Sequence, residues 1–186
     1  MIRTQLSELL NQFQTTFSEE EAMLQRMKDL VTDTTKDCFS RNNFEPGHFT
    51  ASAWIVNESK NKVLLLHHAK LNKWLQPGGH IDSGESVLDA AIREVNEETA
   101  VSIISHSPSI FDVDIHLIPA RKTEPNHFHF DVRFLFVADD TQPLLISEES
   151  NDLKWIPIKE VLAFNPDRSI ERLVLKCSPL APEQKV

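Results

Sequence analysis

Glu94, Glu97 and Glu98 stand at i, i+3 and i+4, so a helix through them carries three carboxylates on one face. Like charges at those spacings repel and cost a helix on the order of 0.2–0.5 kcal/mol per pair. A sequence that breaks a local rule without visible compensation tends to do so at a functional site. A divalent cation is the compensation this chemistry suggests. An oxygen-only donor set favours Mg2+, Mn2+ or Ca2+ over zinc. Arg93, one position ahead of the row, is placed to reach Glu85 or to orient Glu94.

The element that must position these acids is legible around them. Val87, Leu88, Ala91, Ile92 and Val95 recur at helical spacing and form an apolar stripe on a different face. Only four glycines occur in the chain, and Gly78, Gly79 and Gly84 are three of them. Their concentration predicts a turn of special geometry before the helix, where φ is positive or the backbone approaches a ligand closely.

The whole stretch, GGHIDSGESVLDAAIREVNEETAV from Gly78 to Val101, resembles the Nudix box, G-x5-E-x7-R-E-U-x-E-E-x-G-U with U a bulky aliphatic residue. Gly79, Glu85, Arg93, Glu94, Val95, Glu97, Glu98 and Val101 match it, and Ala100 replaces the last glycine. WLQPGGHID and the later HFHFDVRFLF also resemble a bacterial subgroup, so the likeness covers roughly residues 48–165, the length of one domain. It implies an α/β (α+β) fold, an α/β/α sandwich around a mixed β-sheet. It further implies Mg2+- or Mn2+-dependent hydrolysis of a diphosphate joining a nucleoside, or a similar group, to another moiety. By matching position, Glu94, Glu97 and Glu98 are metal ligands with the carbonyl of Gly79, and one of the three can double as general base. Glu85, Gly78 and Arg93 brace loop and helix. In this family a later loop glutamate can serve as base, and Glu148 or Glu149 fits that description. The residues assigned to catalysis are therefore Glu94, Glu97, Glu98, Arg93 and Glu149.

Substrate contacts are expected from Trp74, Lys73, His80, His127, His129 and Arg133. Trp74, read as a loop residue beside the glycine turn, is the better stacking platform for a base; Phe49 and Trp54 are nearby in sequence, and Trp54 reads as core. No acid occurs between Glu58 and Asp82, whereas Lys60, Lys62, Lys70 and Lys73 do, which allows a local positive field for an anionic small molecule. Two alternating segments predict an antiparallel hairpin. Its polar face bears Asp112, Asp114, His116, His127, His129, Asp131 and Arg133, and a wet sheet face is as good a reading as a functional one. If these residues act, substrate binding is expected ahead of a second metal.

The rest of the chain frames this core. Ile2, Leu6, Leu9, Leu10, Phe13 and Phe17 keep helical spacing, and Ser18 with Glu21 reads as a capping box opening a second helix striped by Met23, Met27, Leu30 and Val31. These helices can pack on the domain, cover the site or form a homodimer contact; packing is expected. The expected division is an N-terminal helical hairpin over residues 1–45, a main domain over 46–178 and a loose tail over 179–186. Strands are expected at Ala51–Val56, Val63–Leu66, Val101–Ile104 and Leu153–Ile158, with a turn at Ser107–Ser109 and short helices at Lys159–Phe164 and Ser169–Lys176.

With 186 residues, 40% hydrophobic and 25% charged, the composition is that of an ordinary globular protein. A net charge of −9 argues against bulk nucleic-acid or anionic-membrane binding. The sequence shows no secretory signal and no apolar run long enough to span a bilayer. Cys38 and Cys177 lie far apart and read as free thiols in a reducing cytoplasm. Two rival readings share the fold: a non-catalytic module that senses a nucleotide or diphosphate, and a diphosphate isomerase. All the box glutamates remain and no acid–base pair suited to a carbon skeleton stands out, so the hydrolase is preferred.

Overall fold

In the computed structural model, which describes residues 2–121 and 124–177, five helices and seven strands follow the order α1 (Ile2–Gln12), α2 (Ser18–Thr32), β1 (Gly47–Asn57), β2 (Lys62–His68), β3 (Lys73–Leu75), β4 (Gly78–His80), α3 (Val87–Thr99), β5 (Ile103–Ile118), β6 (His127–Ala138), β7 (Ser150–Pro157), α4 (Val161–Phe164) and α5 (Arg168–Cys177). The strands form one mixed sheet in the order β3-β2-β1-β6-β5, with β4 also on β1 and β7 also on β2. β1 runs parallel to β6 from Gly47↔Phe128 to Asn57↔Ala138; the other ladders are antiparallel.

One edge of β1 is divided. Ile55 and Val56 pair with β2, while Thr50, Ala51 and Ser52 pair with β4. That split brings the glycine pair onto the sheet. Burial then sorts the helices to two sides. On one face Ala51, Ala53, Val132 and Phe134 pack with Leu6, Leu10, Met27, Leu30, Val87, Ala91 and Val95 from α1, α2 and α3. On the other, Trp54, Val56, Val63 and Leu65 pack with Val161, Ile170 and Leu173 from α4 and α5. The expected α/β/α sandwich with a mixed sheet is therefore what forms. The N-terminal helices pack into the main core. The expected tail, 179–186, lies outside the described residues.

Several local expectations are revised. The capping box is absent: Phe17 is the N-cap of α2 and makes no side-chain cap bond. The helix starts one residue too early for it, because the Glu20 and Glu21 amides both bond the Phe17 carbonyl, at 3.0 and 3.3 Å. Thr15 Oγ1 accepts from the Phe17 amide at 3.1 Å and donates to the buried Glu20 carboxylate. β1 starts at Gly47, four residues earlier than expected. Ser107–Ser109 is not a turn. β5 runs unbroken past it, and the register against β6 shifts around it, so Pro108 is accommodated in a bulge. Trp74 belongs to the short strand β3 rather than a loop, paired with His67. Gly78 and Gly79 form strand β4 with no positive φ at either; the left-handed glycines are Gly47 and Gly84.

β5 is a sheet edge, and an open edge offers unpaired backbone groups. α2 covers part of it. The Val113 amide donates to Glu20 Oε1 at 3.1 Å, and the Ile115 amide donates to Met23 Sδ at 3.2 Å.

Candidate active site

The carboxylates reach their positions because the apolar stripe of α3 is buried. Val87, Ala90, Ala91 and Val95 face the core, which turns Glu94 and Glu98 toward β4 and leaves Glu97 exposed. Ser86 caps the helix by accepting from the Asp89 amide at 3.1 Å. The glycine pair is required by close approach, not by turn geometry. A Cβ on Gly79 would lie 2.3 Å from Glu94 Oε1, and one on Gly78 would lie 2.3 Å from Ser52 Cβ and 2.7 Å from Ala51 O. The Gly78 amide donates to Glu98 Oε2 at 2.9 Å.

Arg93 binds nearly everything around it. Its Nε donates to Glu85 Oε1 at 3.0 Å and its Nη2 to Glu85 Oε2 at 3.1 Å and to the His80 carbonyl at 2.8 Å. Its Nη1 reaches Glu94 Oε1 at 2.8 Å and Glu97 Oε2 at 3.1 Å. One guanidinium thus ties loop, strand and acid row together, and its proton is held more tightly than usual by the bonds to Glu85 and Glu94. Glu85 also accepts from the Asp82 amide at 3.0 Å, closing the loop.

The remaining charge is uncompensated. Burial pushes the Glu98 carboxyl up to about 8, and the charges of Glu94, Glu149 and Glu97 push the same way. Burial likewise raises Glu94, aided by Glu97 and Glu149. Glu149 lies on the exposed loop before β7, anchored where its carbonyl accepts from the Ala69 amide at 2.9 Å. Four carboxylates therefore share one neighbourhood with Arg93 as their chief cation. This donor set fits a hard divalent ion, whose charge would favour the ionised form of both Glu94 and Glu98.

The other expected site residues are placed differently. Arg133 is buried, donating from Nε to Asp131 Oδ2 at 2.9 Å and from Nη1 to Asp112 Oδ1 at 3.3 Å, with Asp114 Oδ2 3.1 Å from Nη2. Arg172 of α5 donates to both oxygens of Asp112 at 2.8 and 2.9 Å, and Lys176 reaches Glu20 and Asp112. The polar face of the hairpin is thus a buried ion network clamped by α5, not a wet surface. Strand alternation cannot show this, because the covering helix lies far along the chain. Lys73 pairs with Asp167 at 2.8 Å and Lys62 with Asp140 at 2.7 Å, so part of the expected positive field is neutralised locally. The Trp74 ring is half-buried against Phe164 and His67, with Lys154 Nζ 5.2 Å from its centroid. Phe49 and Trp54 are core.

His80, His127 and His129 do come together, around a residue not singled out beforehand. His48 of β1 lies 5.1 Å from His80, 5.1 Å from His127 and 4.8 Å from His129, centroid to centroid. A lone histidine far from the box carried no signal; only the β1–β6 register, His48↔His129, reveals it.

The NUDIX domain family matches residues 46–176, the greater part of the chain. The chain belongs to the Nudix family. Among curated Nudix relatives, it is 35% identical over 108 residues to the uncharacterized Nudix hydrolase YvcI of Bacillus subtilis, covering 57% of this chain and 65% of that protein. It spans less than two-thirds of the length of the first curated relatives it matches. A NUDIX-family hydrolase from Clostridium perfringens superimposes with a TM-score of 0.53 at 26% identity, covering 70% of this chain and 95% of that one. A C. elegans Ap4A hydrolase complex gives 0.56 at 20% identity, covering 69% and 93%, which is a likeness of fold. Among the described residues no helix is long and apolar enough to cross a membrane.

Proposed function

We propose that this Nudix protein is a Mg2+- or Mn2+-dependent pyrophosphohydrolase that cleaves the diphosphate of a nucleotide-like small molecule. The observation that carries the reading is the clustering of Glu94 and Glu98 against β4, with Glu97 beside them on Arg93 and the charge of Glu149 felt by both. Glu94, Glu97 and Glu98, with the Gly79 carbonyl, would hold the ion. The chemistry such an ion supplies when bound is neutralisation of phosphate charge and acidification of water.

The chain's own residues do the rest. Arg93 and Glu85 fix the loop so that the acids keep their separation without a substrate present. The glycine pair removes the side chains that would push Glu94 and Ser52 away. Glu149 is assigned as general base. It is exposed to incoming solvent, and both Glu94 and Glu98 feel its charge. It would take a proton from water as the water oxygen bonds one phosphorus. The bridging P–O bond then breaks, and the leaving phosphate departs with the electron pair. General-base assistance is worth about 10²–10⁴-fold, so Glu149→Gln should lower kcat by that range with KM nearly unchanged.

Substrate recognition is assigned to His80, His127, His129, Trp74 and Lys73 of β3, β4 and β6. The histidine rings lie on the sheet face away from the acid row, so they would meet a part of the substrate remote from the cleaved diphosphate. A cytoplasmic setting agrees with two unpaired thiols, Cys38 and Cys177, both held protonated by burial at about 11. The direct test is a panel of nucleotide sugars, dinucleoside polyphosphates and damaged nucleoside triphosphates, assayed with Mg2+ or Mn2+ and again with excess chelator. Metal-dependent release of two phosphorylated products supports the proposal. Tight ligand binding with no turnover of any panel member would instead make the chain a sensor.

A further inference from the structure

We propose that His48, His80 and His129 form a binding site for a zinc-class divalent transition ion, separate from the glutamate row. The three residues come from three strands. His48 and His129 are direct partners across the parallel β1–β6 ladder, and β4 sets His80 opposite Thr50, two residues along from His48. Successive strand residues point to opposite faces. Gly79 faces Glu94, so His80 projects to the other side of the sheet. Each imidazole offers one nitrogen, and the three lie within 4.8 Å of one another. Around tetrahedral zinc at about 2.0–2.1 Å, ligand nitrogens stand about 3.3 Å apart. Modest rotation of the rings closes that gap.

His48 supplies the independent observation. It is fully buried, and its Nδ1 lies 3.1 Å from the Asn43 carbonyl. A carbonyl can only accept, so Nδ1 carries the proton and Nε2 keeps its lone pair. That Nε2 is buried and has no hydrogen-bond partner. Buried polar atoms are nearly always satisfied, and an orphan calls for a ligand. A backbone carbonyl holding the far ring nitrogen is also how metal-binding histidines are oriented.

The donor set is all nitrogen here and all oxygen on α3, so the two sites sort ions by hardness. With three histidines the fourth position stays open to water or to an oxygen of an anionic ligand. β4 links the sites: the His80 carbonyl accepts from Arg93 while its ring enters the histidine cluster.

The full chain, stripped with chelator and held in excess Mg2+ to occupy the carboxylates, should bind one equivalent of Zn2+ by calorimetry. Co2+ under the same conditions should give the intense visible absorption of a tetrahedral nitrogen-rich site. Both signals should persist in Glu98→Gln and disappear in His80→Gln and His129→Gln, with circular dichroism reporting the fold. Wild-type Co2+ absorption decides the matter even if a variant fails to fold. No stoichiometric zinc, the weak spectrum of octahedral oxygen coordination, or binding lost in Glu98→Gln but kept in His129→Gln would overturn the proposal.

Discussion

At the scale of single residues, close approach governs the site. Gly79 is there because Glu94 occupies the space a methyl group would need, and Gly78 because Ser52 does. Ala100 shows the opposite case, a position where glycine would serve better. It ends α3 in the left-handed region, φ 53 and ψ 19, with its amide donating to Asn96 O at 3.2 Å. An L-residue pays roughly 1–2 kcal/mol for that conformation, and glycine does not. Ala100→Gly should therefore raise unfolding stability by about 1 kcal/mol in urea titration and leave turnover nearly intact. A large gain in turnover would mean that the strain reaches the glutamates. Box spacing made the acids, the glycine pair and Arg93 readable, because all lie within one loop and one helix. His48 was not readable, since its partners arrive through β1–β6 pairing across the width of the domain.

At the scale of elements, the same limit separates what pattern shows from what it hides. Alternation in β5 and β6 correctly gives an antiparallel hairpin, but α5 and α2 decide whether its polar face is wet. Arg172, Lys176 and Glu20 come from those helices and turn Asp112, Asp114 and Arg133 into a buried network. Asp114 gives a pH test. Burial alone would raise its carboxyl, yet Arg133, His116 and Arg172 together hold it well below the ordinary Asp range. A depressed folded-state value means the contribution is complete above the unfolded value, about 4. It is lost as pH falls below that and toward the folded value. Asp114→Asn should lower stability at pH 7, because Arg133 and Arg172 each lose one of their buried carboxylate partners while keeping Asp112. It should also flatten the acid limb of a melting-temperature profile below pH about 4. An unchanged acid limb would place the network's charge elsewhere. The N-terminal helices are likewise structural: Leu10 is fully buried in the core shared with α3 and the sheet. Leu10→Ala should lower stability by about 2–5 kcal/mol in denaturant titration.

For the whole molecule, the sheet divides the chemistry. Its α3 side carries the acid row braced by Arg93, its other side the histidine cluster and the ion network, and β4 belongs to both. The sandwich and the reaction class follow from the box and its surroundings, which are local in sequence. The substrate does not, because residues expected to touch it are spread over β3, β4 and β6 and several are already engaged by neighbours. The central claim, that the α3 glutamates are an ion platform for diphosphate hydrolysis, rests on charge that the fold leaves uncompensated. The most direct measurement compares wild type with Glu97→Gln on a diphosphate substrate at saturating Mg2+. Glu97 is exposed, so the change leaves the core untouched. The account predicts a loss of turnover of several orders of magnitude with the melting temperature unchanged; equal turnover by the two proteins would contradict it.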